Sequence, residues 1–157
     1  MLGLIVAKSK NNVIGKDNDI PWDIPGEQTQ FKELTTYNTV IMGRKTFESL
    51  GSNPLKNREN IVITRSGNYD GENLKTARSL AEAISIAQSE NIYIIGGASL
   101  YEEAIPLVDI MYITEINLVV EGDKVVCFPR FSEENYKKEI TEKTPDFIRY
   151  VYTRKSD

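Results

Sequence analysis

Glu27 is the residue whose type and position best suit chemistry on a small molecule. It lies near the start of a helix predicted over residues 26–36, where it shares one face with Phe31 and Leu34, because helical residues advance by about 100°. An acidic residue in a first turn can simply complement the helix dipole. A carboxylate buried on an apolar face would instead have a raised pKa and could hydrogen-bond a planar nitrogen heterocycle. This segment alone leaves both interpretations open.

The stretch before this helix, residues 12–25, predicts a long irregular loop. It holds Trp22, the single tryptophan of the chain, between Pro21 and Pro25. Long structured loops without secondary structure are often lids or binding loops. The loop therefore favours the buried-carboxylate interpretation of Glu27.

Three predicted strand ends carry residues that suit a bound phosphate. Backbone N–H groups at a helix start attract anions, glycine lets a ligand approach the backbone, and arginine or lysine adds positive charge. Taken alone, residues 43–46 could be a turn with two solvated cations, and the glycine pair at residues 96–97 could be only a tight turn. The stretches are Gly43-Arg44-Lys45-Thr46, Gly96-Gly97-Ala98-Ser99 and Thr64-Arg65. Together they predict a dinucleotide site, although the sequence lacks the spaced-glycine dinucleotide fingerprint.

The elements that must position these residues alternate between strands and helices. Short apolar runs predict strands at residues 2–7, 39–42, 60–64, 92–95, 110–116 and 147–153. Helical patterns cover residues 26–36, 79–90 and 98–105, with a capping box formed by Ser79 and Glu82. A short helix is also expected after Gly43-Arg44-Lys45-Thr46, running through Leu50. The alternation predicts an α/β fold in one domain over residues 1–157. We expect a central, mostly parallel twisted β-sheet flanked by helices, with an antiparallel C-terminal hairpin.

Composition excludes several classes of function. The net charge is −4 and there is no basic block, which argues against binding nucleic acid or an anionic membrane. The sequence has no histidine, which excludes histidine acid–base chemistry and zinc sites built from His and Cys, and we expect no metal. The lone Cys127 cannot form an internal disulfide and favours a reducing compartment. The N-terminal apolar run is too short to span a bilayer and lacks signal-peptide features, so we expect a cytoplasmic protein.

The chain resembles dihydrofolate reductase over residues 1–131. Each motif alone is weak, but their order and spacing together are highly specific. The motifs are Val13-Ile-Gly15, Ile20-Pro-Trp22-Asp-Ile-Pro25 with Glu27, Val40-Ile-Met-Gly-Arg-Lys-Thr46-Phe-Glu-Ser, Asn60-Ile-Val-Ile-Thr64-Arg65, Ile95-Gly-Gly-Ala-Ser-Leu-Tyr101, and Tyr112-Ile-Thr114 followed by Glu121-Gly-Asp123.

The resemblance implies hydride transfer from NADPH to C6 of 7,8-dihydrofolate, with a proton delivered to N5. The product is 5,6,7,8-tetrahydrofolate, which supports one-carbon metabolism and thymidylate synthesis. By the same resemblance, Glu27 binds the 2-amino group and N3 of the pterin, and Thr114 hydrogen-bonds that carboxylate. Trp22 contacts the substrate through water, and the loop at residues 12–24 is a mobile lid.

The resemblance also implies the remaining substrate contacts. Arg58 would pair with the α-carboxylate of the glutamate tail, although Arg58 by itself could be a solvated loop cation. The apolar slot for the pterin and the aminobenzoyl ring would be lined by Ile5, Phe31, Leu50, Leu55 and Ile95.

NADPH is the implied cofactor, and its binding residues follow from the same match. The nicotinamide region would be contacted by Ala7, Ile14 and Tyr101. The pyrophosphate would be held by Gly43, Lys45, Thr46, Gly97 and Ser99. The adenosine 2′-phosphate, which distinguishes NADPH from NADH, would be surrounded by Arg44, Thr64 and Arg65. Further cofactor contacts would be Gly15, Ile95, Gly96, Ala98 and Leu100, and the Gly96–Gly97 peptide bond would be cis.

Two segments depart from the bacterial pattern. Residues 52–57 hold an extra residue before Arg58, which affects the assignment of Leu55, and residues 124–129 are longer than usual. Neither departure removes a chemical group that the reaction needs. We expect dihydrofolate as the small-molecule substrate, no nucleic acid or membrane partner, and a monomer.

There are two alternatives, the first also an enzyme and the second from a different functional class. The pyrimidine reductase of riboflavin synthesis shares the fold and the cofactor, but it needs neither a carboxylate under a Pro-Trp loop nor an arginine for a glutamate tail. A non-catalytic nucleotide-binding domain would have tolerated loss of Glu27, the glycine pair or the phosphate cations, all of which are present.

Overall fold

The computed structural model describes residues 1–16 and 20–156, and the part of the predicted lid loop at residues 17–19 lies outside that range. The strands are β1 (Leu2–Ser9), β2 (Val13–Lys16), β3 (Thr39–Gly43), β4 (Glu59–Ile63), β5 (Leu74–Ala77), β6 (Ile92–Ile94), β7 (Ile110–Ile116), β8 (Val125–Cys127), β9 (Tyr136–Lys143) and β10 (Phe147–Arg154). The helices are α1 (Thr29–Thr35), α2 (Arg44–Ser49), α3 (Leu80–Ile86) and α4 (Ala98–Ala104), with a 3₁₀ turn at Glu133–Asn135.

In this part of the chain, eight strands form one sheet in the order β5-β4-β3-β6-β1-β7-β10-β9. The six strands from β5 to β7 run parallel, whereas β10 is antiparallel to both β7 and β9. β2 and β8 make a separate antiparallel pair. The expected mostly parallel sheet with an antiparallel C-terminal hairpin is therefore confirmed.

The sheet is covered on both faces because successive strand residues point to opposite sides. On one face, Ile41 and Ile61 join a core cluster that includes Leu80 of α3 and Leu100 of α4. On the other face, the cluster consists of Val40, Met42 and Val62 packed with Phe47 of α2. Burial on both faces explains why these strands read as continuous apolar runs.

The sequence missed the strands that lack such a run. β2, β5 and β8 have three or four residues each, and β9 is an edge strand whose residues after Tyr136 are exposed. Local hydrophobicity carries little information about such strands, because pairing rather than burial holds them.

The predicted start of the first helix at residue 26 is wrong. The helix α1 begins at Thr29, and Gly26 has φ +82°, which is incompatible with a right-handed helix. The shared helical face that placed Glu27 beside Phe31 therefore does not exist, and Glu27 lies in the turn before the helix. By contrast, the predicted cap of α3 is confirmed, since the Ser79 side chain accepts from the Glu82 N–H. No helix of the described residues is long and apolar enough to cross a membrane.

Candidate active site

Glu27 lies in a turn at residues 24–28, which we call the carboxylate turn. The Glu27 N–H donates to the Ile24 carbonyl at 3.2 Å, and the Thr29 N–H donates to the Gly26 carbonyl at 3.3 Å. The Glu27 side chain is half-buried. Burial raises the pKa of its carboxyl above the ordinary value, and the positive charge of Arg149 opposes part of that rise. The turn thus presents a partly desolvated carboxylate.

The middle of the sheet brings Thr114 and Arg149 beneath this turn. In the sheet register, Thr114 of β7 lies between Ala7 of β1 and Arg149 of β10. The buried Arg149 Nη1 donates to the Thr114 hydroxyl oxygen at 2.9 Å. Within the residues that the structure describes, no hydrogen bond joins the Thr114 hydroxyl to the Glu27 carboxylate. The expected Thr114–Glu27 bond therefore stays a prediction.

Two of the expected substrate residues carry buried polar atoms without a partner. The Trp22 Nε1 and the Arg58 Nε are buried, and neither has a hydrogen-bond partner within the described residues. The Arg58 guanidinium lies 5.9 Å from the centroid of the Phe31 ring, which links the glutamate-tail candidate to the apolar slot. Burial also lowers the pKa of Arg58 from its ordinary value. A buried, unpartnered donor of this kind suits an anionic ligand.

The expected apolar slot is only partly enclosed. Ile5 is buried, Leu55 and Ile95 are half-buried, and Leu50 is exposed. The Leu55 segment is held by the buried Asn60, whose side chain accepts from the Leu55 N–H at 2.9 Å and donates to the carbonyls of Leu55 and Arg58, both at 3.0 Å. Asn60 therefore fixes the backbone of the loop that carries Arg58.

The glycine that ends β3 meets the glycine pair that follows β6, and we call Gly43, Gly96 and Gly97 the glycine turns. The Gly43 N–H donates to the Gly96 carbonyl at 2.9 Å, and the Gly96–Gly97 bond is cis, as expected. Gly96 has φ +136°, and a Cβ there would lie 3.1 Å from the Thr46 hydroxyl oxygen. A side chain at Gly96 would therefore combine a φ that other residues rarely adopt with a contact that requires Thr46 to shift.

Tyr101 connects the glycine turns to the centre of the sheet. Its buried hydroxyl donates to the Ile5 carbonyl at 2.7 Å, and burial raises its pKa above the ordinary value. α4 is thereby fixed against β1, whose residue Ala7 is among the expected nicotinamide contacts.

Of the other expected cofactor positions in α4, Leu100 is buried, Ala98 is half-buried and Ser99 is exposed. In β2, Ile14 and Gly15 are half-buried, and Gly15 pairs with Val126 of β8.

The expected 2′-phosphate residues lie at the outer end of the same sheet edge. Thr64 follows β4 and is buried, with its hydroxyl donating to the Ser66 carbonyl at 2.7 Å, while Arg65 is exposed. Arg44 is exposed and pairs with Glu48 at 2.7 Å, and its neighbour Lys45 is also exposed. These cations are available to a ligand because they lie on the surface.

Comparison with known proteins identifies the family. The family model described as dihydrofolate reductase matches residues 1–153. The dihydrofolate reductase of Bacillus subtilis is 42% identical over 87% of this chain and 80% of its own length. That of Staphylococcus haemolyticus is 38% identical over 98% and 95%. This chain belongs to the dihydrofolate reductase family.

A solved structure agrees with this assignment. The dihydrofolate reductase from Enterococcus faecalis, in complex with NADP(H) and RAB-propyl, superposes with a TM-score of 0.83 at 34% identity, covering 99% of this chain and 97% of that one. As a member of the dihydrofolate reductase family, the chain is an NADPH-dependent oxidoreductase.

Two arginines at the site of this family member were missed from the sequence. Arg78 follows β5, and its guanidinium donates to the carbonyls of Thr64 and Gly67 and to Asn68 Oδ1, at 3.2, 2.7 and 2.9 Å. Arg78 thus holds the loop that follows Thr64. A sequence prediction of strand β5 would have placed Arg78 at a strand end, as it did Arg65. Arg149 carried no signal, because it reads as one polar residue in an apolar C-terminal strand.

Proposed function

We propose that this chain reduces 7,8-dihydrofolate to 5,6,7,8-tetrahydrofolate, with hydride transferred to C6 and a proton delivered to N5. The observation that carries the proposal is the half-buried Glu27 carboxylate, whose pKa burial raises, in a turn that Arg149 links to the buried Thr114. An apolar environment makes a carboxylate a strong hydrogen-bond acceptor for a planar N–H edge. Membership of the dihydrofolate reductase family indicates a pterin substrate, which presents such a planar N–H edge.

In the proposed complex, Glu27 accepts hydrogen bonds from the 2-amino group and N3 of the pterin. It orients and polarises the ring, which raises the basicity of N5. The sequence has no histidine that could transfer the proton, and we infer that water delivers it. Thr114 steadies the carboxylate. The unpartnered Trp22 Nε1 supports a water-mediated contact to the substrate.

The remaining substrate contacts are apolar except for one cation. Arg58 pairs with the α-carboxylate of the glutamate tail, which would satisfy its buried Nε. The pterin and the aminobenzoyl ring pack against Ile5, Phe31, Leu50, Leu55 and Ile95.

NADPH supplies the hydride when it is bound. The backbone at Gly43 and Gly97, together with Lys45, Thr46 and Ser99, holds its pyrophosphate. The adenosine 2′-phosphate meets Arg44, Thr64 and Arg65. The nicotinamide end contacts Ala7, Ile14 and Tyr101, and the backbone at Gly15, Ile95, Gly96, Ala98 and Leu100 completes the contact surface.

A direct assay tests the proposal. Oxidation of NADPH, followed by the loss of nicotinamide absorbance, should require added dihydrofolate and should saturate with it. The pyrimidine substrate of the riboflavin pathway serves as the control, and it should not support NADPH oxidation. A folded protein that binds NADPH yet shows no dihydrofolate-dependent oxidation would overturn the proposed function.

We also infer a cytoplasmic monomer with small-molecule partners and no nucleic-acid partner. The net charge of −4 and the absence of a basic block in the sequence support the absence of a nucleic-acid partner, and the lone Cys127 supports a reducing compartment. Sedimentation of the purified protein at micromolar concentration tests the oligomeric state, and a stable dimer would contradict it.

A further inference from the structure

Arg149 is a buried cation whose hydrogen-bond donors are all engaged. The residue is 5% exposed, and its guanidinium lies 4.5 Å from the centroid of the Phe147 ring. A guanidinium carries five N–H donors, one on Nε and two on each Nη. Nε donates to Glu142 at 2.8 Å, Nη1 to Thr114 at 2.9 Å and Gln30 at 3.5 Å, and Nη2 to the carbonyls of Gly26 and Glu27, both at 3.0 Å.

Two of these bonds clamp the carboxylate turn. One nitrogen of Arg149 binds two successive carbonyls, those of Gly26 and Glu27, and so fixes the two peptide planes that flank the Glu27 Cα. The Glu27 side chain leaves the backbone between these two planes. A small rotation of either plane would therefore move the carboxylate away from the pterin.

A third bond prepares Thr114 as a donor. The Thr114 hydroxyl oxygen accepts from Arg149, so its own hydrogen remains free to donate. Hydrogen bonds in a chain polarise one another, which makes this hydroxyl a better donor to a nearby carboxylate. Arg149 thus acts on both groups proposed to orient the pterin, without being placed at the substrate itself.

We propose that Arg149 is a positioning residue for the reduction, which holds the carboxylate turn and the Thr114 hydroxyl in the geometry that Glu27 needs to bind and polarise the pterin. The proposal rests on the proposed function, because it concerns the same carboxylate. It assigns a role to a residue of the C-terminal hairpin, far in sequence from the site.

The charged groups around the carboxylate turn decide how a change at Arg149 affects the pKa of Glu27. Arg149 of β10 is the charge that opposes the raised pKa of Glu27. On its outer side lies a cavity of about 650 Å³ whose lining includes Glu33 of α1, Glu142 of β9 and Asp146 of the hairpin turn. Glu142 is half-exposed and forms the ion pair with Arg149. Loss of Arg149 should therefore shift the titration of Glu27 upward, and loss of Glu142 should shift it downward.

The main test compares R149M with R154M. Arg154 lies on the same strand and also binds backbone carbonyls, those of Val108 at 2.9 Å and Ile105 at 2.6 Å, but these carbonyls belong to the end of α4 and its loop. We expect R149M to lower kcat/KM for dihydrofolate by roughly 10–100-fold, the loss typical of a misplaced reacting group. R154M should lower thermal stability while leaving kcat/KM of the folded enzyme within about twofold. The dissociation constant for NADPH should stay within about twofold in both variants, since Arg149 does not contact the glycine turns.

The pH profile separates positioning from mere structural support. In R149M the acidic limb of kcat/KM should move to higher pH, and in E142Q, which changes a half-exposed residue, it should move to lower pH. R149K keeps the charge and loses the clamp, so it should restore the acidic limb of the wild type while recovering only part of the rate.

A titration by carbon NMR of the Glu27 carboxyl gives the same information without turnover. If the wild type does not oxidise NADPH with dihydrofolate, the proposed function fails, but the Glu27 titration still tests the role of Arg149. An unchanged Glu27 titration in both R149M and E142Q would overturn the proposal. So would an R149M enzyme with wild-type kcat/KM, or a loss of rate in R149M that R154M reproduces.

Discussion

The carboxylate turn and the glycine turns are held in place by different means. Side chains from distant parts of the chain hold the carboxylate turn, since Arg149 of β10 binds its carbonyls from more than 120 residues away. Backbone geometry holds the glycine turns, where the Gly43 N–H donates to the Gly96 carbonyl and Gly96 has a φ of +136° that other residues rarely adopt. The comparison predicts that changes at the first region alter the chemical step, whereas changes at the second alter cofactor binding.

The largest expected effect is that of E27Q. The amide keeps the shape of the side chain but removes the charge that binds and polarises the pterin, so kcat with dihydrofolate near neutral pH should fall by about 10²–10⁴-fold. The dissociation constant for NADPH, measured by fluorescence, should change by less than about twofold. A wild-type rate near neutral pH would show that Glu27 does not carry the proposed role.

The matching change at the glycine turns is G96A. The φ of +136° and the contact at 3.1 Å to Thr46 impose strain on any side chain there, which should weaken NADPH binding by roughly tenfold or more. The KM for dihydrofolate should change much less. G71A provides the control, because a Cβ at Gly71 meets open space, and NADPH binding by G71A should equal that of the wild type. Equal NADPH affinity in G96A and G71A would remove the distinction between the two regions.

A smaller effect is expected at the outer end of the cofactor site. R65Q removes an exposed cation proposed to meet the 2′-phosphate, so the preference for NADPH over NADH should fall by about 5–10-fold. The ratio of kcat/KM values for the two cofactors measures this preference. K155Q removes an exposed cation elsewhere and should leave the ratio unchanged. The same ratio in R65Q and in the wild type would exclude Arg65 from cofactor discrimination.

The smallest expected effect concerns stability and pH. Burial raises the pKa of Glu27 in the folded state, so the folded protein binds this proton more tightly than the unfolded chain. The resulting stabilisation is full below the ordinary pKa of a glutamate and is lost as the pH rises through the folded-state value. E27Q should therefore raise the Tm relative to the wild type at pH 7 by roughly 1–2 °C and by less at pH 4, a small change because solvent screens a half-buried charge.

Calorimetry at the two pH values checks this prediction. E33Q removes an exposed carboxylate from the neighbouring helix and is the control for a general loss of negative charge. A rise in Tm by E27Q that is larger at pH 4 than at pH 7 would contradict the predicted direction of this pH dependence.

The sequence predicted most of the sheet and misplaced part of the site. Strands such as Thr39–Gly43 carry an apolar run that is buried on both faces, so their composition alone identified them. The edge strand Tyr136–Lys143 is polar and exposed, and only its pairing with β10 makes it a strand. Glu27 was recognised although the helical face used to argue for it does not exist. Gly26, just before it, has a positive φ, and the helix begins only at Thr29.

The sequence by itself determined the features that depend on local backbone conformation. These are the order of strands and helices, the cap of α3 at Ser79, and the glycine turns. These features depend on the local conformational freedom of glycine and on hydrophobic periodicity, which neighbouring residues encode. Only the tertiary structure decided what surrounds Glu27. The register of β7 and β10 places Arg149 opposite Thr114, and the hairpin carries its guanidinium to the carbonyls of the carboxylate turn. A hydrogen bond between residues so far apart in sequence has no local pattern, because it exists only once the sheet has formed.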